Sequence, residues 1–187
     1  MRLAVLASGS GTLLDAMAGA GLPISLAMVD RHCGAEDVAT RHGIPCEVVE
    51  RTDFSSTFDR DAFTGRVVDV LAVHRIDLVA MAGWGTILGP AAFRAFPGRI
   101  VNTHPALLPS FPGWHGVRDA LAYGVKVTGC TVHVATEEVD DGPILAQEAV
   151  PVLPDDDEAT LHERIKAVER RLYTETIRRI LERGEVA

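Results

Sequence analysis

Apolar runs and helical patterns alternate along the first half of the chain. Apolar-rich runs predict strands, and they fall at 2–8, 24–30, 45–50, 76–83 and 99–104. The segments between them carry helical patterns, at 11–20, 35–43, 59–75 and 89–96. A strand that is apolar on both faces belongs in a parallel sheet covered on both sides, and the helices supply the crossovers. The alternation therefore predicts an α/β protein with a doubly wound, mostly parallel, Rossmann-like sheet.

The second half of the chain follows a different pattern. A helix is predicted at 116–124, two strands at 126–136 and 143–153, and one long amphipathic helix at 158–184. Thr160 and Glu163 have the spacing of a capping box at the start of that helix. The sequence contains no repeat, no low-complexity segment and no linker. We therefore expect a β-rich C-terminal part, a long C-terminal helix and a single domain over residues 1–187.

Charge and cysteine content limit the classes of function. The formal net charge is −8, which argues against a nucleic-acid-binding surface, because phosphate backbones require clustered Lys and Arg. The charge does not exclude binding of small phosphorylated ligands, since a few backbone N–H groups can hold them. The three cysteines form no CxxC pair and suit a reducing compartment. No apolar run is long enough for a membrane span or a signal peptide, so we expect a cytoplasmic protein with no membrane partner.

The turn after the first apolar run is rich in glycine. Gly9 and Gly11 match the first two positions of the dinucleotide fingerprint GxGxxG, but the third glycine is absent. Asp30, at the end of the second run, stands about where an acid would bind a ribose. One interpretation is a phosphate cradle made by Gly11, Thr12 and the N–H of Leu13 at a helix N-terminus. The other is a tight turn that only lets the helix approach the strand.

Asn102 and His104 stand at the end of the fifth apolar run. Residues two apart in a strand project to the same face, so both should lie at the carboxyl end of that strand, where doubly wound sheets bind ligands. Pro105 ends the strand and favours extended geometry for His104. An amide and an imidazolium on one face are two donors, which suits stabilisation of an oxyanion. The alternative is a histidine that is only a satisfied polar group.

Asp140 and Asp141 lie between the last two predicted strands and are followed by Gly142. A carboxylate beside His104 would favour the charged imidazolium. Taken alone, an Asp-Asp-Gly run favours a turn that faces solvent.

Two other chemistries are disfavoured by spacing. A metal site could draw on His104, His115, His133 and Asp140, but no HExxH or comparable ligand spacing is present, and we expect no metal. A Ser-His-Asp hydrolase is disfavoured because the chain has no GxSxG elbow.

Three segments together resemble one family. They read LASGSGTLLDA at 6–16, NTHPALLPSFPG at 102–113 and VTGCTVHVATEEVDDGPI at 127–144. They resemble the phosphoribosylglycinamide formyltransferases, the small folate-dependent transformylases of purine synthesis, and the resemblance runs from the first strand to the last helix. Methionyl-tRNA formyltransferases and formyltetrahydrofolate hydrolases share this core but carry an extra domain, for which we expect no room at this length.

The resemblance implies that Asn102, His104 and Asp140 act together in formyl transfer. The amine of 5-phosphoribosylglycinamide would attack the formyl carbon of 10-formyltetrahydrofolate, the co-substrate. Asn102 and protonated His104 would hold the oxyanion, while Asp140 would keep His104 charged and help to move protons. The implied partners are therefore two small molecules, and neither a metal nor a nucleic acid is implied.

The resemblance also implies positions that bind the two substrates. For the ribonucleotide they are Gly11, Thr12, Leu13 and Glu169. For folate they are Arg60, Gly85, Thr86, Ile87, Leu88 and Asn102. Thr86 stands where the family carries a folate-contacting arginine. Leu108-Pro109 matches a family position that can hold a cis peptide.

Other functions remain open from the sequence. One is another folate-dependent formyltransferase, or a formyltetrahydrofolate hydrolase, on the same core, since only the amine acceptor separates these enzymes. Another is a nucleotide- or folate-binding protein without turnover. Both a monomer and a homodimer are compatible with the sequence.

Overall fold

The computed structural model describes residues 1–186. Its helices and strands occupy the predicted segments and are shorter by one to a few residues. The strands are β1 (Leu3–Ala7), β2 (Ile24–Val29), β3 (Cys46–Val48), β4 (Leu78–Met81), β5 (Ile100–His104), β6 (Val127–Val134) and β7 (Ile144–Pro151). The helices are α1 (Thr12–Gly19), α2 (Gly34–Arg41), α3 (Arg60–Val73), α4 (Pro90–Ala95), α5 (Gly116–Tyr123) and α6 (Glu158–Arg183).

The described strands form a seven-stranded sheet in the order β3-β2-β1-β4-β5-β6-β7. β1 pairs in parallel with β2 and β4, β2 pairs in parallel with β3, and β4 pairs in parallel with β5. β6 and β7 are antiparallel, from Val127 opposite Pro151 to His133 opposite Ile144. The predicted α/β fold, with its mostly parallel sheet, β-rich C-terminal part and long last helix, is confirmed.

The chain divides into two compact units, of which the first comprises Met1–Val101 together with Val186. All five side chains of β1 are buried, which accounts for the unbroken apolar run in the sequence. The carboxyl ends of β1, β2 and β4 are followed by the glycine-rich turn, by Asp30 and by the segment 82–88, respectively. This edge therefore carries every predicted ligand position of the first unit except Arg60.

The second unit comprises Asn102–Glu185, and its longest element is α6. α6 packs against β6 and β7, and its buried residues include Leu161, Ile165 and Ile177. Burying one apolar stripe of a helix against a sheet stabilises both elements. The prediction of one domain over residues 1–187 stays a prediction. Within residues 1–186, no helix is both long enough and apolar enough to cross a membrane.

The capping prediction for α6 is wrong in its partners. Asp157 is the N-cap residue, its Oδ1 accepts the N–H of Thr160 at 2.8 Å, and Thr160 Oγ1 accepts the N–H of Asp157 at 3.0 Å. Thr160 is therefore the third residue of the helix rather than its cap. Glu163 lies on the helix surface, where it pairs with Arg170.

Candidate active site

The end of β5 places an imidazole between two oxygen acceptors. His104 is 4% exposed. Its Nδ1 lies 3.2 Å from Oδ2 of Asp140, and its Nε2 lies 2.7 Å from the carbonyl oxygen of Phe111. A neutral imidazole carries one N–H, so two oxygen acceptors favour the doubly protonated, positively charged ring. The expected contact between His104 and Asp140 is present.

The loop after β5 is held against the neighbouring hairpin. Thr131 on β6 donates to the carbonyl oxygen of Ala106 at 2.6 Å and accepts the N–H of Leu108 at 3.0 Å. Gln147 on β7 donates to the carbonyl oxygen of Leu108 at 2.8 Å. The peptide bond between Leu108 and Pro109 is cis, as the resemblance implied. The three hydrogen bonds with Thr131 and Gln147 hold the loop beside His104 in place.

Gly116, the first residue of α5, packs directly against the imidazole. A Cβ at this position would lie 3.0 Å from Nε2 of His104 and 3.0 Å from the carbonyl oxygen of Phe111. Phe111 itself holds a left-handed φ of 55°. Only a residue without a side chain therefore fits here without moving the ring or its acceptor.

Asp140 supplies the negative charge of the site. Its backbone is in the left-handed region, with a φ of 58°. Its side chain is 7% exposed, and its Oδ2 also accepts the N–H of Gly113 at 2.8 Å. Burial raises the pKa of Asp140, but its contact with His133, the hydrogen bond from Gly113 and the nearby charge of His104 outweigh it and hold the pKa below its ordinary value. The carboxyl group is therefore ionised at neutral pH.

A second buried histidine contacts the same group of residues. His133 on β6 is 1% exposed, and its Nε2 lies 3.2 Å from Nδ2 of Asn102 and 3.5 Å from Oδ1 of Asp140. Its Nδ1 lies 3.1 Å from the carbonyl oxygen of Val134. Asn102 itself is partly exposed. The structure thus gathers Asn102, His104, His133 and Asp140 within the second unit.

The sequence suggested His133 only as a possible metal ligand. The signal that could have identified its position is a histidine within an apolar, buried strand, since such a side chain must find polar partners. His115, the other histidine of that hypothesis, is exposed at the N-terminus of α5. Over residues 1–186, no set of three or more His, Cys, Asp and Glu side chains is arranged to hold a metal ion.

Glu169 meets β5 on its other face. Its Oε1 accepts the hydroxyl of Thr103 at 3.1 Å, and the alternation of a strand points Thr103 away from Asn102 and His104. Burial raises the pKa of Glu169, although the bond from Thr103 acts in the opposite direction. Glu169 thus belongs to the second unit but does not contact the group around His104.

The glycine-rich turn of the first unit leaves backbone donors at the start of α1. Gly11 is the N-cap residue, has a φ of 74°, and provides no side-chain cap. A Cβ at Gly11 would lie 2.8 Å from Cα of Ala35, so the turn requires glycine both for its φ and for this close approach. Leu13 is 5% exposed, which leaves only its N–H to face a ligand.

Asp30 does not present a free carboxylate, contrary to the ribose-binding position suggested by the sequence. Its side chain is fully buried, and it accepts two hydrogen bonds from Arg31, at 2.9 and 3.0 Å, and one from Thr86 Oγ1 at 2.7 Å. Burial raises the pKa of Asp30, but the bonds from Arg31, Thr86 and Ser8 hold the pKa below its ordinary value. Asp30 therefore anchors other side chains.

The segment 84–88 is only partly open to a ligand. Thr86 is 4% exposed and Leu88 is 5% exposed, whereas Ile87 is partly exposed. A Cβ on Gly85 would lie 3.3 Å from Nη2 of Arg31, so this glycine leaves space for the guanidinium. Arg60, the first residue of α3, is exposed.

An arginine and phenylalanine cluster borders this segment. The guanidinium groups of Arg31 and Arg51 lie 5.2 and 4.7 Å from the ring centre of Phe54, which is 60% exposed. Arg51 also lies 4.2 Å from the ring centre of Phe58. The charge of Arg31 is partly neutralised, because Arg31 forms an ion pair with Asp30. The cluster nevertheless presents cations in a chain whose net charge is −8.

Comparison with known proteins relates this chain to one protein family. A family model described as formyl transferase matches residues 1–177. A phosphoribosylglycinamide formyltransferase of Mycobacterium tuberculosis is 49% identical over 98% of this chain and 86% of its own length. The crystal structure of phosphoribosylglycinamide formyltransferase from Streptococcus pneumoniae TIGR4 matches with a TM-score of 0.89 at 36% identity, covering 96% of this chain and 98% of that one. The enzyme of the same name from Bacillus halodurans matches with a TM-score of 0.88 at 39% identity, covering 99% and 97%.

Proposed function

The chain belongs to the formyl transferase family, and we propose that it transfers the formyl group of 10-formyltetrahydrofolate to the amine of 5-phosphoribosylglycinamide in purine synthesis. The products would be formylglycinamide ribonucleotide and tetrahydrofolate. The observation that carries the proposal is the buried charge pair between His104 and Asp140 beside the end of β5, in a chain 49% identical to a phosphoribosylglycinamide formyltransferase.

The proposed reaction forms one bond at the formyl carbon and breaks another. The amine of the ribonucleotide adds to this carbon, and the electron pair of the carbonyl moves to its oxygen, which becomes negative. The electron pair then returns, and the bond to N10 of the folate breaks. The attacking nitrogen loses one proton and N10 gains one. Catalysis therefore requires positioning of both substrates, stabilisation of one oxyanion and one proton transfer.

Three members of the group around His104 suit these tasks. The Nε2 proton of His104 would leave the carbonyl of Phe111 for the oxyanion, which is the stronger acceptor because it is charged. The amide of Asn102 would donate to the same oxygen. Asp140, held ionised in the site, would keep His104 charged and help to move the proton from the amine to N10.

We assign four residues to the ribonucleotide: Gly11, Thr12 and Leu13 through their backbone, and Glu169 through its side chain. The N–H groups at Gly11, Thr12 and Leu13 would hold its phosphate, because the start of α1 carries no side-chain cap. Glu169 would accept hydrogen bonds from ribose hydroxyls. A charged carboxylate is a strong acceptor for such groups, and its burial limits competition from water.

Replacing Glu169 with glutamine is expected to raise stability at neutral pH while weakening ribonucleotide binding. Because burial raises the pKa of Glu169, its ionisation destabilises the folded state. This cost is absent below the ordinary carboxyl pKa, grows as the pH rises towards the raised value, and is complete above it. Thermal unfolding midpoints of variant and wild type should therefore agree in acid and separate towards pH 7, with the variant higher.

The same variant should raise KM for the ribonucleotide more than it lowers kcat, because it removes binding common to ground state and transition state. Glu182→Gln, an exposed change on α6, is the matched control and should alter neither quantity. A lower midpoint for Glu169→Gln than for wild type at pH 7 would contradict the prediction.

We assign the folate donor to Arg60 and the segment Gly85, Thr86, Ile87 and Leu88, with Asn102 near the formyl group. Thr86 would act indirectly, since its hydroxyl is bonded to Asp30. Arg31 supplies the positive charge at this place, because Gly85 leaves room for its guanidinium and Asp30 orients it. A cation there suits the carboxylates of the glutamate part of a folate.

The proposed function is tested by an assay with both substrates. Purified protein is mixed with 5-phosphoribosylglycinamide and 10-formyltetrahydrofolate, and tetrahydrofolate and formylated ribonucleotide are measured together. Equal amounts of both products are expected. Folate product without formylated ribonucleotide would instead indicate a hydrolase or another amine acceptor, and binding of both substrates without product would indicate a binding protein.

A further inference from the structure

We propose that His133 is a positioning residue for formyl transfer, which holds the amide of Asn102 in the orientation that makes it a donor. This inference rests on the proposed function, because it assigns a task to Asn102. His133 is 1% exposed, whereas Asn102, whose amide it contacts, is partly exposed. It contacts two members of the catalytic group, through the amide of Asn102 and Oδ1 of Asp140.

The charges of the site decide the protonation state of His133. The side chains of His104, Asp140 and His133 are 5%, 7% and 1% exposed, respectively. The two oxygens around His104 favour its cation, which balances the carboxylate of Asp140. Among residues 1–186, Asp140 is the carboxylate within ion-pair distance of either ring, so a second buried cation would lack a counter-charge. Because an unpaired buried charge is costly, His133 is neutral.

The tautomer of the neutral ring follows from its neighbours. Nδ1 faces the carbonyl oxygen of Val134 at 3.1 Å, and a carbonyl can only accept, so the proton resides on Nδ1. Nε2 then carries a lone pair and accepts a hydrogen bond from Nδ2 of Asn102 at 3.2 Å. The same lone pair accounts for the longer, 3.5 Å separation from Oδ1 of Asp140, with which it shares no proton.

The orientation of Asn102 has a direct consequence for the reaction. A terminal amide that rotates by half a turn exchanges its NH₂ group for its carbonyl oxygen. A carbonyl oxygen aimed at the developing oxyanion would repel it, whereas the second N–H of a correctly held amide stabilises it. His133 selects the useful orientation by accepting one of the two N–H groups. The histidine thus contributes to catalysis without touching a substrate.

Two substitutions separate the two ring nitrogens. In His133→Asn the side-chain amide can occupy the place of Nδ1 and donate to Val134, but no acceptor reaches Asn102. In His133→Gln the longer side chain brings an amide oxygen to the place of Nε2. We expect His133→Asn to lower kcat by about tenfold or more, with both KM values within about twofold of wild type. His133→Gln should restore most of the wild-type kcat.

A double-mutant cycle with Asn102→Ala distinguishes positioning from a merely structural effect. If His133 acts through Asn102, His133→Asn should cause no further loss of kcat in the Asn102→Ala background. The control is Thr128→Val on the same strand, whose buried hydroxyl has no hydrogen-bond partner among the described residues and whose loss should leave kcat unchanged. Thermal unfolding of every variant verifies that it is folded.

Each outcome of the cycle decides the inference. Equal losses from His133→Asn in the wild-type and Asn102→Ala backgrounds would overturn it, and so would folded His133→Gln protein as impaired as His133→Asn. A loss confined to the wild-type background and recovered by glutamine supports it. A wild-type protein that forms no formylated ribonucleotide would overturn the proposed function itself, a result that the assay without any variant reveals first.

Discussion

Asp140→Asn is expected to lower kcat about a thousandfold while leaving the binding of both substrates nearly unchanged. The substitution keeps the shape of the side chain and an oxygen that can still accept the N–H of Gly113. It removes the negative charge that faces Nδ1 of His104 at 3.2 Å. Without this charge the buried imidazolium loses its counter-ion, and the oxyanion loses the positive charge that stabilises it.

The measurement is steady-state kinetics with both substrates, together with equilibrium binding of each. Asp141→Asn is the matched control, because Asp141 is the adjacent carboxylate and is exposed. It should keep kcat within about twofold of wild type, as expected for an exposed surface substitution. A variant at Asp140 that retains more than a tenth of the wild-type kcat would contradict the proposed role of the buried pair.

Asp140→Asn should also change the response of stability to acid. The pKa of Asp140 is lower in the folded protein than its ordinary value, so its ionised form stabilises the fold. This contribution is present above the ordinary carboxyl pKa and is lost as the pH falls through the lowered one. The variant lacks the contribution, so the difference in unfolding midpoint between wild type and variant should shrink in that acidic range.

Gly142→Ala is expected to lower the free energy of unfolding by about 2 kcal/mol or more, and to lower kcat as well. A Cβ on Gly142 would overlap the carbonyl oxygen of Val134, a backbone atom that cannot move aside as a flexible side chain can. Val134 also donates its N–H across the hairpin to the carbonyl oxygen of Pro143 at 2.9 Å. Relieving the clash must displace the loop that carries Asp140.

Gly65→Ala provides a control with the opposite sign. Gly65 lies within α3, and a Cβ there would meet no atom within 4 Å. Alanine should therefore raise the free energy of unfolding by about 0.5–1 kcal/mol, because it removes conformational freedom from the unfolded chain and favours the helix. Denaturant unfolding of both variants tests the pair, and an unchanged stability of Gly142→Ala would show that the loop is not constrained as described.

The order and type of the elements follow from patterns that are local in sequence. Apolar-rich runs predicted β1 to β5, the change of pattern after residue 104 predicted the hairpin of β6 and β7, and helical periodicity predicted α6. The position of Asn102 and His104 at a strand end also follows locally, because Pro105 cannot extend the strand. Such features depend on residues a few positions apart, and this is why they could be predicted.

Side-chain partners were predicted less well because they depend on distant residues. Asp30 stands at the expected strand end, but Arg31 and Thr86 occupy its oxygens, and Thr86 lies 56 residues away along the chain. The cap of α6 was predicted three residues too late. Thr160 and Glu163 have the spacing of a capping box, but the box is formed by Asp157 and Thr160. In each case a more favourable partner was available in the folded chain.

The sequence by itself determined the alternation of strands and helices, the glycine at the start of α1 and the polar residues at the end of β5. Only the tertiary structure decided which of these groups meet: Asp140 with His104, and His133 with Asn102. The physical reason is that pairing across a sheet depends on strand register and on the path of the loops, and a register shift of one residue turns every side chain to the other face. Periodicity within one segment does not specify that register.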